Sequence, residues 1–391
     1  MSQSTPTAVI LAAGEGQRLW PLTNRRPKPM LPVVNKPLLE HVLEAVIDAG
    51  IEEIVFVVGY ERDRIQTHFG NGDDWDVSIE YAVQENQLGT AHAVQQAESH
   101  VDGAFLVLNG DRIIGSEAVA DVHAAMDGGT DAAMAVTRVS ESEAYGVVTL
   151  SGDQIVDIVE KPRDELASNI INAGVYGFTP AVFDVIDATP AGPDGEYRLT
   201  DVLTRVAEAG TIRPVRYNGR WLDVSYPWDL LSVTGQLLDQ DGGDTAGSVG
   251  AGAQVDTAAH LASTAAVGAN TVVGRGSTVA ANARIGPNAT ITRSVIFPDA
   301  TVEAGAVLSD CIVGANATIG ANVTAAGGET TVVTDDEIHS DVTFGGLIGD
   351  NATVGGAATI APGAILGNDV VVGEGAIANG TVGDGVEIRR G

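Results

Sequence analysis

The chain has 391 residues, and its 52 acidic side chains against 21 basic ones give a formal net charge of −31. A surface this acidic repels nucleic acid and anionic membranes, so neither is expected as a partner. Lysine occurs only at Lys28, Lys36 and Lys161; an acid-rich, lysine-poor composition is typical of halophilic proteins, which work at molar salt, where the Debye length is about 3 Å.

The first 240 residues alternate short apolar runs with segments of helical periodicity. The predicted strands are 7–11, 54–58, 77–83 and 104–108. The predicted helices are 38–49, 61–68 and 90–98. This alternation predicts a mostly parallel α/β sheet covered on both faces, with ligands bound beyond the carboxyl ends of its strands. The loops after residues 11, 83 and 108 are therefore the expected location of the site.

A six-residue repeat of aliphatic side chains replaces that pattern in the second half. Three runs carry it: Leu261, Val267, Val273, Val279, Ile285 and Ile291; Val313 and Ile319; Ile348, Val354, Ile360, Leu366 and Val372. Such a repeat predicts a parallel β-helix. Residues 325–344 interrupt it and are predicted to project as a loop. The predicted organisation is 1–240 as an α/β domain, 241–256 as a linker and 257–391 as the β-helix.

The first candidate site follows the strand 7–11. Gly14 and Gly16 allow backbone N–H groups to approach a phosphate chain without a side-chain clash. Arg18 can bridge two phosphate oxygens, and Lys28 is a mobile point charge. Two glycines alone are weak evidence, but glycines with both cations at these spacings favour a phosphate site over a glycine turn with two surface cations.

Two more candidate sites follow the strands 77–83 and 104–108. Gln84 offers a donor and an acceptor that match the edge of a pyrimidine, and Gly89 permits backbone contact with a base. His92, in the helix that follows, is interpreted as a packing residue. Asp111 comes directly after the other strand, where a carboxylate beside phosphates suits a magnesium ion.

Together these motifs resemble the signature of the sugar-1-phosphate nucleotidyltransferases over about residues 7–238. The repeat that follows is similar to the β-helix of bifunctional members such as N-acetylglucosamine-1-phosphate uridylyltransferase. The resemblance implies a Rossmann-like nucleotide-diphospho-sugar transferase domain, then a left-handed parallel β-helix. It implies a magnesium-dependent transfer of a nucleotidyl group from a nucleoside triphosphate to a sugar 1-phosphate, with release of pyrophosphate.

The resemblance also implies roles for particular residues. Arg18 is expected to grip the β- and γ-phosphates, and Lys28 the α-phosphate and the attacking sugar phosphate. The expected nucleotide-binding residues are Leu11, Ala13, Gly14, Gly16, Gln84, Gly89 and Thr90. The expected sugar-phosphate ligands are Gly146, Glu160, Lys161 and Asn172. Asp111 and Asp223 are the expected magnesium ligands.

Several alternatives stay open at this level. The wording of the 84–92 motif favours UTP over dTTP, and the acceptor is glucose 1-phosphate or N-acetylglucosamine 1-phosphate. The β-helix is expected to assemble a homo-oligomer, a trimer by resemblance. Acetyltransfer in the β-helix is an alternative, although its histidines are only His260 and His339 and no tyrosine or lysine follows residue 240. A non-catalytic regulatory or assembly subunit is a further alternative.

Cysteine content and hydropathy indicate the compartment. The single cysteine, Cys311, excludes an internal disulfide and fits a reducing environment. The N-terminal residues lack the pattern of a signal peptide, and no apolar run reaches the roughly 20 residues of a membrane span. We therefore expect a cytoplasmic protein.

Overall fold

The computed structural model describes residues 6–127, 130–162, 168–334 and 337–390. The chain divides into two compact units. The first comprises Met1–Glu15, Pro27–Met30 and Leu38–Asp223, and the second comprises Gly16–Arg26, Leu31–Pro37 and Val224–Gly391. None of the helices in the described part of the chain is both long and apolar enough to cross a bilayer.

The strands as far as residue 223 follow in chain order. They are β1 (Thr7–Ala12), β2 (Pro32–Val33), β3 (Lys36–Pro37), β4 (Glu53–Val58), β5 (Ser78–Val83), β6 (Phe105–Asn109), β7 (Arg112–Ile114), β8 (Ala132–Arg138), β9 (Gly146–Ser151), β10 (Gln154–Glu160), β11 (Ile170–Phe178), β12 (Ile212–Arg216) and β13 (Trp221–Asp223). The helices are α1 (Leu38–Asp48), α2 (Arg62–Phe69), α3 (Thr90–Gln95), α4 (Ser116–Met126), α5 (Val182–Ala188), α6 (Leu199–Ala209) and α7 (Pro227–Asp241).

A nine-stranded sheet organises the first unit. Seven of its strands run in the order β10-β9-β11-β6-β1-β4-β5, and β8 pairs with both β11 and β12. The strands β6, β1, β4 and β5 are parallel, as the alternating pattern predicts. The pairs β11–β6, β11–β8 and β9–β10 are antiparallel. The sheet is therefore more mixed than predicted, because β9 and β10 are joined by a tight turn rather than by a crossover helix.

The predicted strands and helices of the first unit are all present, with ends that differ by at most three residues. Helix 90–98 is the most shortened: α3 ends at Gln95, and a separate 3₁₀ turn covers Glu98–His100. Apolar side chains cover both faces of the sheet. Val9, Val107 and Phe178 belong to the cluster on one face, and Ile10 and Leu108 to the cluster on the other. Successive side chains along β1 thus point to opposite faces of the sheet and belong to the two clusters in turn.

The second unit contains a parallel β-helix of three sheets. The first sheet is built from Ser248–Val249, Ala266–Val267, Arg284–Ile285, Thr301–Val302, Thr318–Ile319, Thr353–Val354, Val371–Val372 and Glu387–Ile388. The second is built from Gln254–Val255, Val272–Val273, Thr290–Thr292, Val307–Ser309, Thr324–Ala325, Thr359–Ile360 and Ile377–Ala378. The third is built from His260–Leu261, Thr278–Val279, Val295–Ile296, Cys311–Val313, Gly346–Ile348, Ala364–Leu366 and Thr381–Val382. The predicted α/β domain followed by a left-handed β-helix is confirmed as the fold class.

The aliphatic positions of the repeat form the β-helix core, and two shortened coils explain its changes of register. The steps from Ile291 to Ile296 and from Leu308 to Val313 span five residues instead of six. Arg293 and Asp310, at the corners concerned, both have a positive φ. The Arg293 guanidinium makes two hydrogen bonds to the Asp310 carboxylate, at 2.6 and 2.8 Å, which ties the two corners together.

The structure differs from the predicted boundaries at two places. Within the expected linker 241–256, Ser248–Val249 and Gln254–Val255 are already β-helix strands, because the six-residue spacing continues backwards from Leu261. Helix α7, expected in the first domain, belongs to the second unit and contacts the third sheet. The outer side chains of that sheet are accordingly buried, as Ile312 and Leu347 illustrate.

The interruption of the repeat is a β-hairpin rather than an irregular loop. Its strands, Glu329–Thr334 and Glu337–Thr343, pair antiparallel; residues 335 and 336, which the prediction also covered, lie outside the described residues. We call residues 329–343 the inserted hairpin. Its alternating threonine, valine and charged residues suit a strand pair that lies outside the aliphatic core.

Candidate active site

A cavity of about 710 Å³ opens at the carboxyl ends of the parallel strands in the first unit. Leu11 near the end of β1, Gln84 after β5 and Asn109 at the end of β6 all line it. This is the edge of an α/β sheet where ligands bind. Twelve of the residues predicted from the sequence line the cavity: Leu11, Ala13, Gly14, Lys28, Gln84, Gly89, Thr90, Asp111, Gly146, Glu160, Lys161 and Asn172.

Lys28 and Asp111 form an ion pair in the cavity wall. The Lys28 ammonium lies 2.6 Å from Asp111 Oδ2, with 13% and 36% of the two side chains exposed. Desolvation opposes the charged carboxylate, but the positive charges of Lys28 and Arg112 outweigh it and hold the pKa of Asp111 below its usual value. A fixed cation and a carboxylate are thus adjacent at the end of β6.

Arg112 interacts with both predicted magnesium ligands and was not predicted from the sequence. Strand β7 pairs with β13 so that Arg112 is opposite Asp223, and Arg112 Nε lies 3.7 Å from Asp223 Oδ1. The Arg112 guanidinium also lies 5.5 Å from the ring centroids of Tyr145 and Trp221. The Tyr145 hydroxyl donates to Asp223 Oδ2 at 3.5 Å. The antiparallel pairing of β7 with β13 therefore brings Asp223 next to Arg112, although the two residues are far apart in the sequence.

Asp111 and Asp223, the predicted magnesium ligands, carry the oxygen donors that a small, hard cation prefers. Asp111 lines the cavity, whereas the Asp223 side chain is only 7% exposed and is held by Arg112 and Tyr145. Within the described ranges, no group of three or more Asp, Glu, His or Cys side chains is arranged to hold a metal. A magnesium ion here would therefore take most of its ligands from phosphate oxygens and water, as Mg²⁺ commonly does.

The Gln84 side chain is fixed by the loop and helix that follow it. Its amide nitrogen donates to Gly89 O at 3.1 Å and lies 2.9 Å from His92 Nδ1. The two amide hydrogens are then used, so the carbonyl oxygen is the group that this buried side chain can present to a ligand. His92 is therefore a positioning residue for Gln84, which its place on α3 did not reveal.

The loop before α3 is held by the segment 197–199. Tyr197 N–H donates to Leu88 O at 2.7 Å, and Leu199 N–H donates to Thr90 Oγ1 at 2.9 Å. Gly89 has φ +107°, and a Cβ there would lie 2.5 Å from Tyr197 O. Glycine is therefore required by both backbone conformation and space.

Glu160, Asn172 and Tyr176 form another part of the cavity wall with Gly146. A Cβ at Gly146 would lie 3.1 Å from Glu160 Oε2, so glycine keeps this carboxylate accessible. The buried Asn172 donates to the Tyr176 hydroxyl at 2.6 Å and accepts from Gly174 N–H at 2.9 Å. Burial raises the pKa of Tyr176 to about 12, so its hydroxyl stays neutral. This wall presents neutral and anionic groups that suit sugar hydroxyls.

Lys161 and two further residues complete the lining. Lys161 has φ +41° and donates its N–H to Tyr145 O at 3.1 Å, an uncommon backbone conformation for a residue with a side chain. Thr200 lines the cavity, and its buried Oγ1 has no hydrogen-bond partner among the described residues. Arg198 also lines the cavity. Neither Thr200 nor Arg198 was among the site residues predicted from the sequence.

The charge of the lining reverses that of the chain. Among the described residues, the cations that line the cavity are Lys28, Arg112, Lys161 and Arg198, and the acids are Asp111, Glu160 and Glu196. Two of the three lysines of a chain with net charge −31 are therefore here. A locally positive cavity within an acidic surface attracts anionic ligands.

Gly16 and Arg18 belong to the second unit. Arg18 lies in a 3₁₀ turn, Gln17–Leu19, and its guanidinium lies 5.7 Å from the centroid of the Tyr226 ring. His339, the histidine considered for acetyltransfer, packs 4.5 Å from the Tyr226 ring centroid and 5.0 Å from that of Trp228. His339 is thus part of an aromatic cluster at the start of α7.

Comparison with known proteins matches the two halves of the chain to two different family models. Residues 7–240 match the family model described as "Nucleotidyl transferase", and residues 255–383 match the model described as "GMPPB C-terminal domain". The bifunctional protein GlmU of Methanococcus maripaludis is 41% identical over 235 residues, which are 60% of this chain and 54% of that protein. The chain thus spans about half the length of this relative.

A shorter relative and two solved structures match the first part of the chain. UTP–glucose-1-phosphate uridylyltransferase AglF of Haloferax volcanii is 39% identical over 238 residues, 60% of this chain and 97% of AglF. A Bacillus anthracis protein designated a glucose-1-phosphate thymidylyltransferase has a TM-score of 0.56 at 27% identity, over 60% of this chain and 95% of that one. UDP-glucose pyrophosphorylase with UDP-glucose, at 24% identity and a TM-score of 0.55, shares the fold over 61% of this chain and 100% of that one.

Proposed function

Because this chain belongs to the nucleotidyl transferase family, we propose that it transfers a uridylyl group from UTP to glucose 1-phosphate, giving UDP-glucose and pyrophosphate. The single observation that carries the proposal is the cavity at the strand ends, whose lining is cationic in a chain of net charge −31. Both substrates are phosphate anions, so only a locally positive site can bring them together. The 39% identity with AglF supports UTP and glucose 1-phosphate as the first pair to test.

Gln84 supports a uracil or thymine base. With its amide hydrogens engaged by Gly89 and His92, Gln84 presents a carbonyl oxygen. Such an acceptor pairs with the ring N–H of uracil or thymine, whereas cytosine and adenine carry an unprotonated ring nitrogen at the matching edge. The ring methyl and the ribose hydroxyl that separate dTTP from UTP are small differences, so dTTP is the alternative nucleotide.

The chemistry needs no covalent intermediate. An oxygen of the sugar phosphate, already an anion at neutral pH, attacks the α-phosphorus. The bond from that phosphorus to the α–β bridging oxygen breaks, and pyrophosphate leaves with the electron pair. Catalysis is then positioning and charge neutralisation. In this proposal Lys28 neutralises the α-phosphate and the attacking group, Arg18 binds the leaving phosphates, and Lys161 binds the sugar phosphate.

The sugar and the metal would be held by separate sets of residues. Glu160 and Asn172 would bind sugar hydroxyls, with Thr200 as an added donor. Asp111 and Asp223 would hold Mg²⁺, which supplies further positive charge to the phosphates when bound. The remaining ligands would be phosphate oxygens and water.

The deciding experiment is an assay of pyrophosphate release in molar KCl with Mg²⁺. UTP and dTTP are each tested with glucose 1-phosphate and with N-acetylglucosamine 1-phosphate. We expect release that requires the sugar phosphate and is fastest with UTP and glucose 1-phosphate. Faster release with N-acetylglucosamine 1-phosphate would change the acceptor, and no release with any pair would favour a regulatory subunit.

The cellular setting and assembly extend the proposal. The acidic, lysine-poor composition supports work at molar salt in the cytoplasm. The outer face of the second sheet carries exposed Val272, Val307 and Ile377, which supports a homo-oligomer, with a trimer as the expected form. Light scattering coupled to size-exclusion chromatography in 2 M KCl measures the mass directly, and a monomer would contradict the assembly.

Acetyltransfer is not favoured by the contacts of the one candidate base in the inserted hairpin. His339 packs against Tyr226 and Trp228, and its Nε2 lies 3.1 Å from Thr334 Oγ1. The second half also matches the domain described as "GMPPB C-terminal domain". A coenzyme A binding measurement by calorimetry tests this alternative, and saturable binding would revive it.

A further inference from the structure

The loop that carries Arg18 is part of the same compact unit as the β-helix. We call residues 16–26 the signature loop. Its second half lies against the corner that follows the third sheet, over the last three coils of the β-helix. At the second residue of that corner these coils carry Asp350, Asn368 and Asp384, whereas the three coils before them carry Ala281, Pro298 and Ala315. The three coils that contact the loop thus carry polar side chains at the position where the three coils before them carry alanine or proline.

Four side-chain contacts join the loop to these coils. They are Asn368 Nδ2 donating to Pro21 O at 3.2 Å, Asn24 Nδ2 donating to Asp384 Oδ2 at 3.0 Å, Arg25 paired with Asp369 at 2.5 Å, and Arg26 paired with Asp350. Every second-corner residue of the last three coils therefore contacts the signature loop.

The pair Arg26–Asp350 is the more buried of the two ion pairs. The side chains of Arg26 and Asp350 are 13% and 5% exposed, whereas those of Arg25 and Asp369 are 38% and 49% exposed. The Arg26 guanidinium also lies 5.0 Å from the centroid of the Phe297 ring. An exposed ion pair contributes little, but removing one partner of a buried pair leaves an uncompensated charge.

The first half of the loop is held as well. Thr23 Oγ1 donates to Gly16 O at 3.0 Å, which closes the loop on itself. Arg18 lies over the ring of Tyr226, and the Tyr226 hydroxyl donates to Glu337 Oε2 at 2.8 Å. Glu337 belongs to the inserted hairpin. Both ends of the signature loop are thus attached, directly or through one residue, to elements of the β-helix.

From these contacts we propose that Asp350 of the β-helix is a positioning residue for nucleotidyl transfer. It holds the signature loop through Arg26, which keeps Arg18 in place and fixes the chain two residues before Lys28. The β-helix then serves catalysis within its own chain, in addition to any role in assembly. This inference rests on the proposed function, because Arg18 and Lys28 act on the phosphates only in that reaction.

The test compares Asp350→Asn with the parent chain in the pyrophosphate assay. We expect kcat to fall by about tenfold or more, since small misplacements of catalytic groups have effects of this order. The KM for glucose 1-phosphate should change by less than about twofold, because Glu160 and Asn172 are untouched. The matched control is Asp299→Asn, another corner aspartate of the β-helix, which accepts a hydrogen bond from Asn282 at 3.1 Å.

A second variant and a second readout separate positioning from general loss of structure. Arg26→Gln breaks the same pair from the loop side, and the double variant should lose no more kcat than either single variant. Hydrogen exchange should become faster in residues 16–26 of Asp350→Asn while the β-helix core stays protected. The proposal would be overturned if the double variant lost the sum of the two single-variant effects on kcat. A kcat of Asp350→Asn within about twofold of the parent would also overturn it. If the parent chain itself released no pyrophosphate, the proposed function would be overturned. In that case hydrogen exchange would still test the attachment, because unchanged exchange in residues 16–26 of Asp350→Asn would show that Asp350 does not hold the loop.

Discussion

Lys28 and Asp111 are 83 positions apart in the chain, yet they form the central ion pair of the cavity. Their neighbours explain why each residue type is needed. Arg112 and Lys28 together stabilise the charged form of Asp111, and Gly146 leaves room for Glu160. At this scale the site is a set of charges whose positions are fixed by backbone hydrogen bonds and packing.

Lys28→Ala tests the central charge. We expect turnover to fall by at least about 10²-fold, the scale of one lost electrostatic contact to a transition state. Steady-state pyrophosphate release measures it, and Lys36→Ala is the matched lysine control. A Lys28→Ala enzyme within about twofold of the parent would contradict the assignment.

His92→Ala tests the orientation of Gln84. The variant loses the 2.9 Å contact between Gln84 Nε2 and His92 Nδ1, so the Gln84 side chain is no longer held in one orientation. The KM for UTP should therefore rise about fivefold, which corresponds to one hydrogen bond of about 1 kcal/mol. Selectivity for UTP over CTP should fall with it. His100→Ala, which removes a partly buried histidine paired with Glu80 at 2.6 Å, is the control. Unchanged KM and unchanged selectivity would show that His92 only packs.

At the scale of elements, two kinds of periodicity build two kinds of core. The sheet of the first unit feeds separate apolar clusters on its two faces, whereas each β-helix coil contributes small and aliphatic side chains to one narrow stack. The stack depends on every coil because each coil contacts only its neighbours. The five-residue steps at Ile296 and Val313 are tolerated because corner residues with positive φ absorb them.

Ile319→Ala tests the stack. Ile319 is fully buried in the β-helix core, so truncation should lower the free energy of unfolding by about 2–5 kcal/mol. Alkylation of Cys311 reports unfolding. Burial and the charge of Asp310 raise the pKa of this thiol to about 12, so it is unreactive in the native state. Urea titration followed by alkylation of Cys311 measures the shift. Thr353→Ala, on the exposed outer side of the same sheet, should leave the midpoint nearly unchanged.

At the scale of the whole molecule, the charge of −31 is the dominant property. Like charges on the surface repel one another and oppose the compact state unless salt screens them. The cationic cavity works against that field, so its attraction for phosphates also depends on ionic strength. Stability and substrate binding should therefore respond to salt in opposite directions.

Lowering KCl from 1 M to 0.1 M lengthens the Debye length from about 3 Å to about 10 Å. We expect a lower Tm and faster alkylation of Cys311 at the lower salt. Choline chloride added to the ionic strength of 1 M KCl separates two causes. It would restore the Tm if general screening stabilises the protein, and it would not if specific K⁺ binding does. A Tm that is constant across this range would contradict the halophilic interpretation.

Much of the architecture follows from local patterns. The six-residue repeat determined the β-helix. The position of the cavity followed from the residues that come after the apolar strands, namely the glycines, Lys28, Gln84 and Asp111. Each of these signals is complete within a few residues of sequence. Only the tertiary structure decided that Arg112 interacts with Asp223, that His92 contacts Gln84, and that Asp350 pairs with Arg26. These contacts join residues from different elements, the last of them 324 positions apart. Side chains that meet only after folding leave no pattern along the chain.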